Sequence, residues 1–274
     1  MKRHLLWVLA LLSAAPFAHA QSDDDSGKNA DVKLRETIPT QSDPIAEQLI
    51  ETYFKALGGR DRYLQLRNIK VVEHVKMGRN NFTQTIYYGW PDKVRIETIK
   101  REGGKELKVI EGYDGEEAWV YDLTVEHPFP KNLGGKRTKE LVEMANVHGP
   151  LANWKERGYT AEYIGPVNSR RFKNYVVKLY DENGVPEFYY FDAKNYLLTR
   201  YGWRELRDDI VIDNDVFYVK YEKIRGLYLP VKVELAIEGQ TYGVIEQQSI
   251  AFDQSFAPGF FSMPKVREVW LRGE

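Results

Sequence analysis

Cysteine is absent from all 274 residues. Its absence excludes a disulfide framework, a thiolate nucleophile and any cysteine-based metal centre. It also leaves no cysteine behind a leader to carry a lipid, so an anchored lipoprotein is not expected. Histidine is scarce as well, with five in the chain. His4 and His19 lie near the start, and His74, His127 and His148 are far apart with no ligand spacing among them. No metal site is therefore expected. Charge of one sign is lacking too: 39 Lys and Arg face 40 Asp and Glu, a formal charge of −1. That balance gives no basis for nucleic-acid binding. No serine sits in a G-x-S-x-G elbow. The Gly103-Gly104 and Gly134-Gly135 pairs lack the strand–loop–helix setting of a phosphate cradle and read as turns or flexible loop. Asp208, Asp209, Asp213 and Asp215 lack the Gly and Glu of a calcium loop and read as a solvated turn. No catalytic constellation and no cofactor motif remain, so the chain reads as non-enzymatic.

Long apolar runs are also rare. One spans Leu5 to Leu12, after the basic Lys2-Arg3-His4 and before an Ala18-His19-Ala20 cleavage pattern. Its length suits the roughly 7–15 residues of a secretory h-region and falls short of the about 20 needed for a membrane span. Residues 1–20 are thus expected to be a cleaved signal peptide, and the mature protein to be soluble and periplasmic. Loss of Lys2 and Arg3 leaves 37 positive residues against 40 negative ones, a net charge of −3. Residues 21–42, with Asp23-Asp24-Asp25, are too polar to fold alone and read as a flexible acidic tether. The remainder, 43–274, is expected to form one domain.

What the chain has in quantity is aromatic residues in alternating patterns: 18 Tyr, 12 Phe and 6 Trp. Ser42 or Asp43 can cap a helix with Pro44 in its first turn, and along that helix Ile45, Leu49, Ile50, Tyr53, Phe54 and Leu57 recur at helical spacing before Gly58-Gly59 ends it. From Asn81 to Asp122 the period is two. Phe82, Gln84, Ile86, Tyr88 and Trp90 share one side; Val94 and Ile96 oppose Lys93, Arg95 and Glu97; Glu117 to Asp122 forms a short aromatic strand. Thr138 to Val147 reads as a second helix, with a further turn near Trp154, and forms a lid inserted into a β chain. Strands then resume to Phe252, one hairpin being marked by Asn183-Gly184, and Phe256 to Pro264 is expected to stop one end of the sheet. Ten or eleven strands and two helical regions imply a mainly β, α+β fold, since so long a sheet must curl.

Three stretches carry a family likeness: the helix ending Leu57-Gly58-Gly59, the run Tyr88-Gly89-Trp90-Pro91-Asp92-Lys93-Val94-Arg95, and Tyr113-Asp114-Gly115 leading into Trp119-Val120-Tyr121-Asp122. In these the chain resembles the outer-membrane lipoprotein-sorting, LolA/LolB-like superfamily of periplasmic carriers. The resemblance implies a curved antiparallel sheet forming a half-open β-barrel, covered by the N-terminal helix and the helical lid. It implies a monomeric carrier or binder whose partner is a lipid or a lipoprotein acyl chain, without cofactor or catalysis. Family members also include a stress-sensing regulator, so a module that binds an envelope protein is the alternative. Phe82, Tyr88, Trp90, Trp119, Tyr121, Leu141, Met144 and Trp154 are the expected lining of the cavity.

Overall fold

The computed structural model describes residues 34–168 and 173–265. The expected leader and the tether up to residue 33 lie outside the described residues. The chain opens with helices α1 (Pro44–Leu57) and α2 (Arg60–Leu64). Strands β1 (Ile69–Met77), β2 (Asn80–Gly89), β3 (Lys93–Glu102), β4 (Lys105–Tyr113), β5 (Ala118–Asp122) and β6 (Lys131–Asn132) follow. Helix α3 (Gly135–Met144) and a 3₁₀ turn (Pro150–Ala152) interrupt the strands. Then come β7 (Thr160–Asn168), β8 (Lys173–Tyr180), β9 (Pro186–Asp192), β10 (Leu198–Arg207), β11 (Ile210–Ile224), β12 (Leu227–Ile237) and β13 (Gln240–Ala251).

All thirteen strands belong to one antiparallel sheet, ordered β6-β5-β4-β3-β2-β1-β13-β12-β11-β10-β9-β8-β7. The chain runs out to one edge, crosses through α3 to the other edge, and returns until β13 pairs with β1. The sheet does not close: β6 and β7 are its edges. The excess over the ten or eleven expected strands includes β6, whose two residues are too few to show an alternation. Several hairpins turn with both central residues at positive φ, among them Gly103-Gly104, Asp208-Asp209 and Arg225-Gly226. Such turns carry the right-handed twist of the strands through the hairpin, and a sheet of this width then curls into a half-barrel.

Helix α1 fills the hollow of that curl. Asp43 caps it by accepting a hydrogen bond from Ile45 N at 2.8 Å, with Pro44 in the first turn. Ala46, Leu49, Ile50, Tyr53, Phe54 and Leu57 are buried against the sheet, whereas Ile45, expected on the apolar face, is 51% exposed. The helix ends at Gly58, where φ is +117° and a Cβ would lie 2.3 Å from Gly226 O on the β11–β12 turn. Only glycine meets both conditions there. Helix α3 begins a turn earlier than its pattern suggested, at Gly134-Gly135 without a side-chain cap.

Two expectations about the edges of the domain change in the structure. Residues 34–42, read as the end of a free tether, lie against the β7–β9 arm. Glu36 N donates to Gly184 O at 2.8 Å, Lys178 Nζ reaches Glu36 Oε2 at 2.6 Å, and Ala161 N donates to Ser42 Oγ at 3.1 Å. The Phe256–Phe261 segment does not stop one end of the sheet. It lies on the convex face, because Gly89 and Gly112 leave room there: a Cβ on Gly89 would meet Phe261 at 2.6 Å, and one on Gly112 would meet Trp119 at 2.5 Å.

Candidate functional site

The strand registers define which side chains face the hollow. Ile69, Val71, Glu73 and Val75 of β1 stand opposite Tyr88, Ile86, Gln84 and Phe82 of β2. Val94, Ile96 and Thr98 of β3 continue that face, as do Tyr113, Glu111 and Val109 of β4. The other arm contributes Val233 and Leu235, Tyr218 and Val216, Tyr201 and Trp203, Tyr189 and Glu187, and Val177 and Leu179 from successive strands. Against this face α1 places Tyr53, whose ring lies 5.6 Å from Phe191. The concave side is thus lined by apolar and aromatic side chains and forms a single core with α1 and α3.

Of the expected lining residues, five belong to this interior: Phe82, Tyr88, Leu141, Met144 and Trp154, all buried. The other three lie elsewhere. Trp119 is fully buried but on the convex face, since its register partner Gly112 pairs with Arg95 and not with an inward residue. Its Nε1 donates to Phe261 O at 2.8 Å, and Arg95 Nη1 donates to Phe260 O at 3.1 Å. Tyr121, two residues on, shares that outer face. Trp90 follows the end of β2, is 44% exposed, and stacks with the Arg67 guanidinium 3.7 Å from its ring. Asp213 and Asp215, read as part of a solvated turn, are in β11, and Asp215 is buried and accepts from Arg200 Nε at 2.6 Å. Among the described residues no three His, Asp or Glu side chains converge as metal ligands would.

Several polar groups interrupt the apolar interior. Glu73 is fully buried, and neither carboxylate oxygen has a hydrogen-bond partner. Loss of hydration pushes its carboxyl up to about 8. Glu187 is pushed up to about 8 by burial as well, against the opposing effect of the Tyr189 hydroxyl that donates to it at 2.6 Å. Their phase was visible in the sequence: Glu73 stands two residues from both Val71 and Val75, so a strand that buries those valines buries the acid. What the sequence alone does not show is that no partner meets Glu73.

Helix α3 covers the open side. Leu141 and Met144 face inward, and the helix is fastened by charge at its first turns. Arg137 holds Glu111 of β4 through Nε at 2.6 Å and Nη2 at 2.5 Å, and Glu140 through Nη1 at 3.1 Å. Lys136 reaches towards Glu205 of β10, at 3.5 Å. One helix therefore bridges two arms that are far apart in strand order. The concave face meets solvent at a cleft of about 190 Å³ beside α1, lined by Ile45, Gln48, Leu49, Thr52, Tyr163, Tyr175 and Tyr196. Among the described residues no helix is long and apolar enough to cross a membrane.

These features define a class: an α+β open barrel whose concave apolar side is covered by helices. This is the fold of the LolA superfamily. A LolA superfamily protein from Nitrosomonas europaea matches with a TM-score of 0.51 at 11% identity, over 79% of this chain and 97% of that one. A putative outer membrane lipoprotein-sorting protein domain from Vibrio parahaemolyticus gives 0.51 at 9% identity, with 79% and 97% covered. A DUF1329 family protein from Desulfovibrio piger gives 0.50 at 13% identity, with 80% and 98% covered. No protein-family model matches the chain, and no curated protein matches it in sequence.

Proposed function

We propose that this is an exported, monomeric, non-catalytic binding protein that holds the apolar chain of a lipid or lipidated protein against its concave face. The observation that carries the reading is the opening beside α1. There the apolar interior reaches solvent between Leu49 and the ring cluster Tyr163, Tyr175 and Tyr196, with Tyr175 and Tyr196 stacked at 6.2 Å. Rings with an apolar body and a polar tip suit such a mouth. At about 190 Å³ the cleft is smaller than the roughly 300–1,000 Å³ of pockets that enclose a whole small ligand. It takes the end of a chain, and deeper entry requires α1 or α3 to move outward. Burial of an acyl chain supplies about 0.8 kcal/mol per CH₂, roughly 10 kcal/mol for a twelve-carbon chain, which offsets the displacement of about four buried apolar side chains.

The test is organic extraction of the mature protein purified from an envelope fraction, with mass spectrometry of the extract and titration with a fluorescent acyl probe. Acyl-bearing species at near-stoichiometric amount, with probe binding weakened at least tenfold by Leu49→Glu, are expected. No extracted species and no probe binding would reject the reading.

A second reading rests on β7. As an edge strand it leaves Ile164 46% and Val167 44% exposed beside a bulge at Tyr163/Gly165. An extended segment of an envelope protein pairing with that edge would use the same fold without lipid. Capture of one stoichiometric partner that is lost on Val167→Pro, with no acyl species bound, would favour it.

A further inference from the structure

The interior contains a row of oxygen acceptors. Gln247 of β13, Glu73 of β1, Gln84 of β2 and Thr98 of β3 are consecutive register partners on the concave face. Apolar residues lie on either side of the row, Val75 and Phe82 in one direction and Val71 and Ile86 in the other. Within it Gln84 Nε2 donates to Thr98 Oγ1 at 2.9 Å, the row's one internal hydrogen bond that the structure shows. The remaining oxygens, Glu73 Oε1 and Oε2, Gln84 Oε1 and Gln247 Oε1, are buried without a donor. Glu73 is fully buried and Gln84 is 2% exposed.

Register partners on adjacent strands hold their Cβ atoms about 5 Å apart, so these oxygens can converge on a single group. The register shift between Val72 and Glu73, where β13 carries an extra residue, aligns Gln247 with Glu73. Bulges commonly re-aim a side chain in this way at functional sites. Buried polar atoms are normally satisfied, and four oxygens left together with at most the one proton of a neutral Glu73 carboxyl among them are a costly arrangement for a core that serves stability alone.

We propose that this row is a head-group subsite that binds a hydrogen-bond donor, a hydroxyl or an ammonium, at the polar end of an apolar ligand. The assignment rests on the binding function above and narrows it. The subsite disfavours carboxylate and phosphate heads, to which the row's four oxygens offer at most the one proton of a neutral Glu73 carboxyl. A hydroxyl binds as a donor to the row in either protonation state of Glu73. An ammonium binds best with Glu73 ionised, so its affinity rises with pH towards 8, whereas that of an alcohol stays flat.

The experiment compares dodecanol, dodecylamine and sodium dodecanoate in displacing a fluorescent naphthylamine probe from the full mature chain. Chain length is constant, so differences report the head group. The alcohol or the amine is expected to bind at least about tenfold tighter than the carboxylate, the scale of one charge-assisted hydrogen bond. Glu73→Leu should bring the three ligands to within about threefold of one another and raise the melting temperature, because it removes buried orphan oxygens. Glu73→Gln, which keeps shape and polarity, should remove the rise of amine affinity with pH and retain alcohol binding. A wild-type protein that binds the carboxylate as well as the others overturns the subsite and leaves the row to buried water. So does a Glu73→Leu variant that keeps the wild-type ranking. Failure of all three ligands to bind rejects the binding function itself, and the subsite with it.

Discussion

Replacing Arg137 with methionine tests how α3 is held over the open side. The guanidinium and its partners Glu111 and Glu140 are 18%, 13% and 17% exposed at the side chain, so solvent screens them little. Removing one member of such a group leaves the others buried without compensation, at a cost of about 3–5 kcal/mol. Here two carboxylates are left facing each other and the lid can swing outward to hydrate them. The loss is therefore capped by the free energy of docking α3, and we expect about 3 kcal/mol. It should be visible in urea unfolding as a lower midpoint, or as hydrogen exchange of the 137–144 amides sped up by about two orders of magnitude. Adding Glu111→Leu to Arg137→Met should restore part of the loss, because it replaces one of the two stranded acids by an apolar side chain and leaves Glu140 alone to turn towards water. A single variant that loses under 1 kcal/mol, with α3 exchange unchanged, would refute the view that these ion pairs fasten the lid.

Other consequences can be measured in the same protein. The folded carboxyls of Glu73 and Glu187 keep their protons up to about 8, against an ordinary 4.5. The folded state thus binds more protons across that interval, and stability present below pH 4.5 is lost as pH rises through 8. The slope is about 1.4 kcal/mol per pH unit for each group. Glu73→Gln should reduce the loss between pH 5 and 7 by about 3 kcal/mol in denaturant titrations, and identical slopes in both proteins would contradict the burial of this acid. Gly112→Ala forces a Cβ against the Trp119 ring and should destabilise by about 1–3 kcal/mol in thermal melts, with partial rescue by Trp119→Phe. Asp43→Ala removes the α1 cap and should lower unfolding free energy by about 1 kcal/mol, and an unchanged value would show that the cap bond to Ile45 contributes nothing.

The fold was legible where side-chain phase decides it. Val75, Ile86 and Ile96 alternate with charged or polar neighbours, and burying them places β1, β2 and β3 the right way round. The site was legible only in part, for reasons that differ by residue. Trp119 has the apolar body and polar tip that suit a cavity lining, yet it lies on the outer face. The C-terminal Phe260 and Phe261 create a second apolar patch on the convex side, and local alternation does not reveal a cover supplied more than a hundred residues later. Trp90 follows the apolar phase of β2, yet the strand ends at Gly89 and the turn carries the ring outward. Arg137 and Glu111 meet across 26 positions, and only the folded path of the chain shows them as partners. Gln84 and Glu111 are in phase with their apolar neighbours, but their partners, Thr98 on the next strand and Arg137 on α3, are set by the fold.

The most direct test of the central claim uses tryptophan quenching by a brominated acyl chain, which requires contact with the ring. Trp203 faces the hollow, whereas Trp119 is sealed under Phe261 on the opposite face. If the concave face holds the chain, saturating ligand quenches the wild type, Trp203→Phe removes a large part of the quenched emission, and Trp119→Phe leaves it in place. Quenching that survives Trp203→Phe and disappears with Trp119→Phe would place the ligand on the wrong side of the sheet and contradict the account.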